Sequence, residues 1–263
     1  MDNIEQSPAA PTVKENPGFE ILYWVGCAAS YDRRAQRVAR AVVKLLKHAG
    51  VNFAILGKEE KCTGDSARRL GDEFLFQELA TANIETLGKY NVRRIVAHCP
   101  HCVNALLRDY SQFGGQYEVV HHSQLLAQLI REGRIKVDPA SVPAGESVTY
   151  HDPCYLARVN GTHEEPREVL GVALGGCGKL REMDRNRTKT FCCGAGGGRM
   201  WMEEDPAKRV SAVRAGEAIA TGAKTVATGC PFCLTMMTDG VAAKGSEARV
   251  MDIAELLAER LGL

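Results

Sequence analysis

Two stretches of this chain repeat one cysteine spacing, and that repeat limits the possible folds more than any other feature. Cys62 and Cys99 lie 37 positions apart, as do Cys193 and Cys230. Each pair runs into a Cys-Pro-x-Cys turn, Cys99-Pro100-His101-Cys102 in one case and Cys230-Pro231-Phe232-Cys233 in the other. Cys27 precedes Cys62 by 35 positions and Cys154 precedes Cys193 by 39, a difference that one loop absorbs. An internal duplication is the simplest account, giving two units of about 120 residues each.

Hydrophobic patterning follows the same division. Ile21-Leu22-Tyr23-Trp24-Val25 is a short apolar run leading into Cys27, as a buried parallel strand would be. Further strands are predicted at Asn52–Leu56, Arg94–Cys99 and Tyr117–Val120, with helices over Arg37–Ala49, Gly71–Tyr90 and Ser123–Glu132, Ser123 serving as N-cap. After Lys136–Ser147, with Pro139, Pro143 and Gly145, the pattern restarts at Val148-Thr149-Tyr150-His151-Asp152-Pro153-Cys154. A weaker strand near Leu180–Met183, a helix over Asp205–Thr221, a strand at Thr225–Thr228 and a closing strand and helix from Arg249 to Leu261 complete it. The fold class is therefore α/β, built from βα repeats. The bounds that follow are a disordered tail over 1–18, a first cysteine-rich unit over 19–135, a linker over 136–147 and a second cysteine-rich unit over 148–263.

In an open parallel sheet, ligands bind beyond the carboxyl ends of the strands. Cys27, Cys62 and Cys99 each follow a strand, and Cys102 sits one helical turn beyond Cys99, where a helix N-terminus favours a thiolate. Cys154, Cys192, Cys193, Cys230 and Cys233 do the same in the second half. Distant cysteines thus converge on two thiol-rich pockets, with four thiols in the first and five in the second. Aligned by the 37-residue spacing, Lys61 stands where the second half has Cys192.

Composition narrows what such pockets do. The chain has ten cysteines and a net charge of +1, so no strong field draws it to nucleic acid or an anionic membrane. No apolar run reaches the length of a membrane span, and the polar, acidic start Met1-Asp2-Asn3-Ile4-Glu5 argues against a secretory signal. A cytoplasmic location is expected, where cysteines serve metal or redox chemistry rather than disulfides. Structural zinc takes four ligands, commonly from paired Cys-x-x-Cys knuckles. Five crowded thiols suit an iron–sulfur cluster better. Zinc, or an inert buried cysteine pair, is the plainer alternative.

The doubled pattern, with Cys192-Cys193-Gly194 ahead of Cys230-Pro231-Phe232-Cys233, resembles the CCG cysteine-rich domains of the heterodisulfide reductase B subunit and related iron–sulfur subunits. The resemblance covers about residues 20–263. It implies two Rossmann-like domains related by pseudo-twofold symmetry, and non-cubane [4Fe-4S] clusters each held by five cysteines. Carried onto this chain, one cluster falls to Cys154, Cys192, Cys193, Cys230 and Cys233, with Cys192 and Cys193 marking the reactive centre. The other site, Cys27, Cys62, Cys99 and Cys102, lacks a fifth cysteine and would hold a cubane or altered [4Fe-4S] cluster, or zinc. The implied function is an iron–sulfur oxidoreductase subunit exchanging electrons with partner subunits and a disulfide or thiol substrate. No flavin, nicotinamide or ferredoxin-type motif is present, so electrons come from an iron–sulfur or flavin partner. An electron-relay or assembly subunit without its own substrate is the alternative.

Other features carry less. Gly194-Ala195-Gly196-Gly197-Gly198 has Arg199 where a dinucleotide fingerprint needs its last glycine, and it follows a cysteine pair rather than a strand. His98, His101 and His151 stand where they could bond a cluster sulfide or relay a proton, though an ordinary buried or surface histidine explains each as well. His121 and His122 fall at the functional edge. Arg199–Glu204 reads as a pocket wall or partner surface, and Cys177 as a loop thiol.

Overall fold

The computed structural model describes residues 10–176, 178–205 and 208–263. Cys177 lies outside them, as do residues 1–9 of the tail. The first half carries strands β1 (Ile21–Trp24), β2 (Phe53–Ala54), β3 (Arg94–Ala97) and β4 (Glu118–His121). Its helices are α1 (Gly26–Tyr31), α2 (Arg33–His48), α3 (Asp65–Leu70), α4 (Glu73–Lys89), α5 (Pro100–Asn104) and α6 (His122–Arg131). The second half has β5 (Ser147–His151), β6 (Lys179–Leu180), β7 (Thr225–Thr228) and β8 (Arg249–Asp252), with α7 (Glu165–Ala173), α8 (Val210–Ala220), α9 (Pro231–Ala243) and α10 (Ile253–Arg260).

Each half forms a parallel four-stranded sheet, in the order β2-β1-β3-β4 and β6-β5-β7-β8. The repeat read from the cysteines is therefore a repeat of topology. Register follows the two-residue period of a strand. Ile21 and Tyr23 face one core, and Leu22 and Trp24 face the other. The core holding Tyr23 also holds Tyr150 and is filled by α2, α6, α7 and α10. One shared core thus lies between the two sheets. Exchanging the halves turns the α2–α10 contact into the α7–α6 contact, as a twofold relation requires.

Local details differ from the sequence reading for physical reasons. The chain from Ala10 to Gly18 is ordered rather than a loose tail. Thr12 bridges Ile55, the Val13 amide donates to the Ile55 carbonyl at 3.0 Å, and Val13 is buried. An apolar residue and a free sheet edge beyond β2 hold it there. α2 starts earlier than Arg37 because Asp32 caps it, accepting from the Ala35 amide at 2.7 Å. The helix predicted over Gly71–Tyr90 is α4, and Gly71, at φ 92°, separates it from α3, a short helix that the sequence reading leaves out. The cap of α6 is His121, not Ser123: its Nδ1 accepts from the Ser123 amide, and Gln124 Oε1 accepts from the His121 amide at 2.9 Å.

Candidate metal centre

Sheet order reverses between β1 and β3, and again between β5 and β7, and the cysteine loops leave the carboxyl ends of those strands. This is the crevice where open α/β sheets take ligands. Cys99 and Cys230 are the N-cap residues of α5 and α9, with a proline at the first helical turn of each. Among the described residues all nine cysteines are free thiols.

In the first half, Cys62 Sγ lies 3.7 Å from Cys27 Sγ. A cleft lined by Cys27, Cys62, Cys99 and Cys102 is also lined by His98 and His101, and it is walled by Pro231 and Phe232 of the other half. In the second half, Cys233 Sγ lies 3.3 Å from Cys193 Sγ. Cys192 bonds Cys154, and its own pKa is driven far down by donors from Cys154 and Cys193. The halves meet at the first-half cleft. Cys99 is held well below the usual thiol value by hydrogen bonds from Cys102 and then from Cys230. Crowded sulfurs divide their protons in this way: the Cys27 bond pulls Cys62 down to about 7, while its bond to Cys192 pushes Cys193 up to about 12. All nine thiols assigned from the sequence thus fall in two adjoining clusters, and none lies elsewhere.

Geometry corrects the alignment of the halves by one residue. The Gly64 amide donates to Cys62 Sγ at 3.4 Å, and Gly64 has φ 80°. In the second half the Gly194 amide donates to Cys192 Sγ at 3.3 Å, and Gly194 has φ 93°. Cys62 bonds Cys27 as Cys192 bonds Cys154. Cys62 therefore matches Cys192, not Cys193. Thr63 takes the place of Cys193, and its Oγ1 lies 3.7 Å from Cys102 Sγ where Cys193 meets Cys233. Lys61 is exposed and has no part in the site. The equal 37-residue spacing was one step out of register, because the loops before the Cys-Pro turns differ by one residue. Reading Cys62-Thr63-Gly64 against Cys192-Cys193-Gly194 is the signal that finds the match.

Residues that the sequence did not single out hold the cysteine loops. Glu60 accepts from the amides of Val25 and Gly26 at 3.0 and 2.5 Å, tying the turn at Cys27 to the loop at Cys62. Burial raises its pKa to about 7 despite those two donors. In the second half Asp152 does this work. It takes a bidentate bond from Arg167, both contacts at 2.8 Å, and its Oδ2 accepts from the Arg187 amide at 2.8 Å in the loop before Cys192.

The five histidines noted in the sequence are all buried. His101 stacks on Tyr155, with centroids 4.2 Å apart, and its Nδ1 meets Asp65 Oδ2 at 2.8 Å. Burial opposes a charge on His101, but Asp65 and Cys99 hold its pKa above the ordinary value. His98 Nδ1 bonds the Tyr23 hydroxyl at 2.9 Å, and burial lowers its pKa to about 4. His121 and His122 cross between the halves, His121 Nε2 to the Gly229 carbonyl and His122 Nε2 to Asp252 Oδ1, each at 2.9 Å. His151 shares the second site: one of its ring nitrogens and the Sγ atoms of Cys193 and Cys233 all lie within 4.8 Å of one another. Trp201 packs edge-on against Phe232, centroids 5.9 Å apart, and leaves 59% of its surface exposed at the rim.

The fit of a metal–sulfur group can be judged from these atoms. The donors are soft, buried and too many for one tetrahedral zinc in the second half. One ring nitrogen of His151, Nε2, also stands buried there with no protein partner. Both features suit a group that brings its own sulfur.

Comparison with known proteins agrees with the repeat. The cysteine-rich CCG domain model matches twice, over residues 21–107 and 148–238. The "Probable iron-sulfur-binding oxidoreductase FadF" of Bacillus subtilis is 46% identical over 97% of this chain and 37% of its own length. The "EtfAB:quinone oxidoreductase" of Syntrophomonas wolfei is 46% identical over 91% of this chain and 34% of its length. A dihydromethanophenazine:CoB–CoM heterodisulfide reductase subunit from Methanosarcina barkeri is 38% identical, over 96% of this chain and 62% of its length. The chain thus spans little more than a third of the first two of these relatives. Among the described residues no helix is long and apolar enough to cross a membrane. With both cysteine clusters matched by the family model, the chain belongs to the cysteine-rich CCG domain family.

Proposed function

We propose that this chain is the substrate-side module of an iron–sulfur oxidoreductase of the heterodisulfide reductase type. The observation that carries the reading is the cleft in which the four first-half thiols face Pro231 and Phe232, the turn that carries Cys230 and Cys233 of the second half. Cys154, Cys192, Cys193, Cys230 and Cys233 would hold a non-cubane [4Fe-4S] cluster. Cys27, Cys62, Cys99 and Cys102 would hold a second, cubane or altered cluster, or zinc. Such a cluster supplies electron storage and iron that accepts sulfur. The protein's own part is to fix the thiols through Glu60 and Asp152, and to narrow the mouth with Phe232 and Trp201. It would also set two metal groups side by side, so that a disulfide or thiol could be engaged between them. Electrons would pass to or from iron–sulfur or flavin partners, in keeping with the longer relatives.

A second reading, electron relay without a substrate, is favoured by Thr63, which leaves the first site one sulfur short. Anaerobic reconstitution with iron, zinc and sulfide counted on the EPR sample tests both. We expect a brown protein whose unusual signal is lost in Cys193→Ser and kept in Cys62→Ser, and which changes when a disulfide is added. A colourless protein with stoichiometric zinc would overturn the iron–sulfur reading. A cluster signal indifferent to any disulfide would leave relay as the function.

A further inference from the structure

His151 ends β5 and is fully buried. Its Nδ1 lies 2.9 Å from Arg214 Nε. A guanidinium has only donors and keeps its charge, so Nδ1 presents a lone pair. The ring is therefore neutral, and its single proton sits on Nε2. Arg214 cannot easily turn away. It is itself 0% exposed, and its Nη1 is held by the Arg185 carbonyl at 2.9 Å and Glu217 Oε2 at 2.7 Å.

The Nε2–H that remains is buried with no protein acceptor. Leaving a buried donor without a partner costs its full desolvation, so the fold has reason to give it one. The side chains it shares that site with are Cys193 and Cys233, whose Sγ atoms lie within 4.8 Å of a ring nitrogen. We propose that His151 donates this N–H to a sulfur of the group bound in the second half, and so raises that group's reduction potential. This rests on the iron–sulfur reading above.

The first half separates donation from ligation. Trp24 stands three residues before Cys27 as His151 stands three before Cys154, and Tyr23 and Tyr150 precede them in register. Trp24 packs in the cluster that contains Cys99 and Cys102, and its Nε1–H is likewise buried without a partner. An indole N–H donates and cannot ligate a metal. Imidazole and indole share little at these equivalent places except a buried N–H. Ligation by His151 Nε2 would also require that atom to lose its proton or Nδ1 to give up Arg214. A hydrogen bond to sulfur draws off negative charge and favours the reduced state, so its removal lowers the potential.

The test begins with the reconstituted wild-type chain, labelled with 15N-histidine and examined by pulsed EPR in H2O and D2O. Weak nitrogen coupling together with an exchangeable proton at the second-half cluster is expected. A nitrogen coupling of ligand size, or none, overturns the proposal. His151→Phe should then lower the midpoint potential of that cluster, and His151→Gln, which keeps an N–H in place of Nε2, should restore most of the shift. An unchanged midpoint in a fully loaded Phe variant also overturns it. If the Phe variant takes up no cluster, the wild-type spectra decide. Absence of iron and sulfide in the wild type overturns the underlying reading, an outcome that the metal count separates from failure of the hydrogen bond alone.

Discussion

One residue separates the two cysteine sites. Thr63 stands where the second half has Cys193, with its hydroxyl 3.7 Å from Cys102 Sγ. Threonine is close to cysteine in size but cannot bridge irons as a thiolate does. Thr63→Cys should therefore give the first half a fifth ligand. After anaerobic reconstitution we expect a second EPR signal like that of the Cys154–Cys233 site, at an unchanged or higher iron count. A spectrum identical to wild type would mean that Thr63 is not the missing position. Lys61→Cys serves as the control and should do nothing, since Lys61 is exposed. The sequence displayed this difference in Cys62-Thr63-Gly64 against Cys192-Cys193-Gly194. Counting between cysteines hid it, because a one-residue loop change happened to equalise the wrong pair.

At the scale of elements, α9, which carries Cys233 in its first turn, comes close to α8 in the outer layer. α8 and α9 touch at Gly240, where an added Cβ would stand 2.9 Å from the Ser211 carbonyl oxygen and 2.9 Å from Ala215 Cβ. Alanine in a helix interior ordinarily gains about 0.5–1 kcal/mol over glycine. Overpacking against backbone costs about 1–3 kcal/mol, and here it outweighs that gain because a main-chain atom cannot swing aside. Gly240→Ala should thus lower the urea midpoint of unfolding, with a net loss of about 1 kcal/mol. An equal or higher midpoint would show that the helices can part freely. Helical spacing alone predicts α9 and its apolar content, but it does not say which neighbour comes this near. The same limit explains the cap of α6, where Ser123 is the commoner capping type. His121 wins because its ring also reaches Gly229 in the other half.

The two halves behave as one body because their cores are not separate. α2, α6, α7 and α10 share a single apolar layer between the sheets, and Arg34 of α2 makes a bidentate bond with Glu255 of α10 at 2.6 and 2.7 Å. His121, His122 and Asp252 join the sheets at their carboxyl ends. Burial lowers the His122 pKa from 6.5 to about 3, and burial with the neighbouring His122 lowers that of His121. An unfolded chain binds protons that these rings refuse, so the stability they confer is complete above pH 6.5 and falls as the pH drops toward 3. Asp252 works the other way, since burial raises its pKa from 3.8 to about 6. Glu60, raised to about 7, acts as Asp252 does. His98 and His151, lowered by burial to about 4 and about 3, side with His121 and His122, so four imidazoles against two carboxyls leave a net loss in acid. The metal-free protein should melt at a lower temperature at pH 5 than at pH 7, and equal melting temperatures would contradict this account.

The sequence by itself determined the duplication, the α/β class, the strand ends that carry cysteines and the nine thiols that the fold gathers at those ends. Those properties are local or periodic, written in spacings of a few residues and in repeats of one half by the other. Only the tertiary structure decided which residues are truly equivalent, that the turn between Cys230 and Cys233 walls the first-half cleft, and that Glu60 and Asp152 hold the loops. It also decided that Arg214, 63 positions away, fixes the proton of His151. These contacts join chain segments that no periodicity relates. They depend on where two sheets place their carboxyl ends, and that is settled by packing the four central helices into one core.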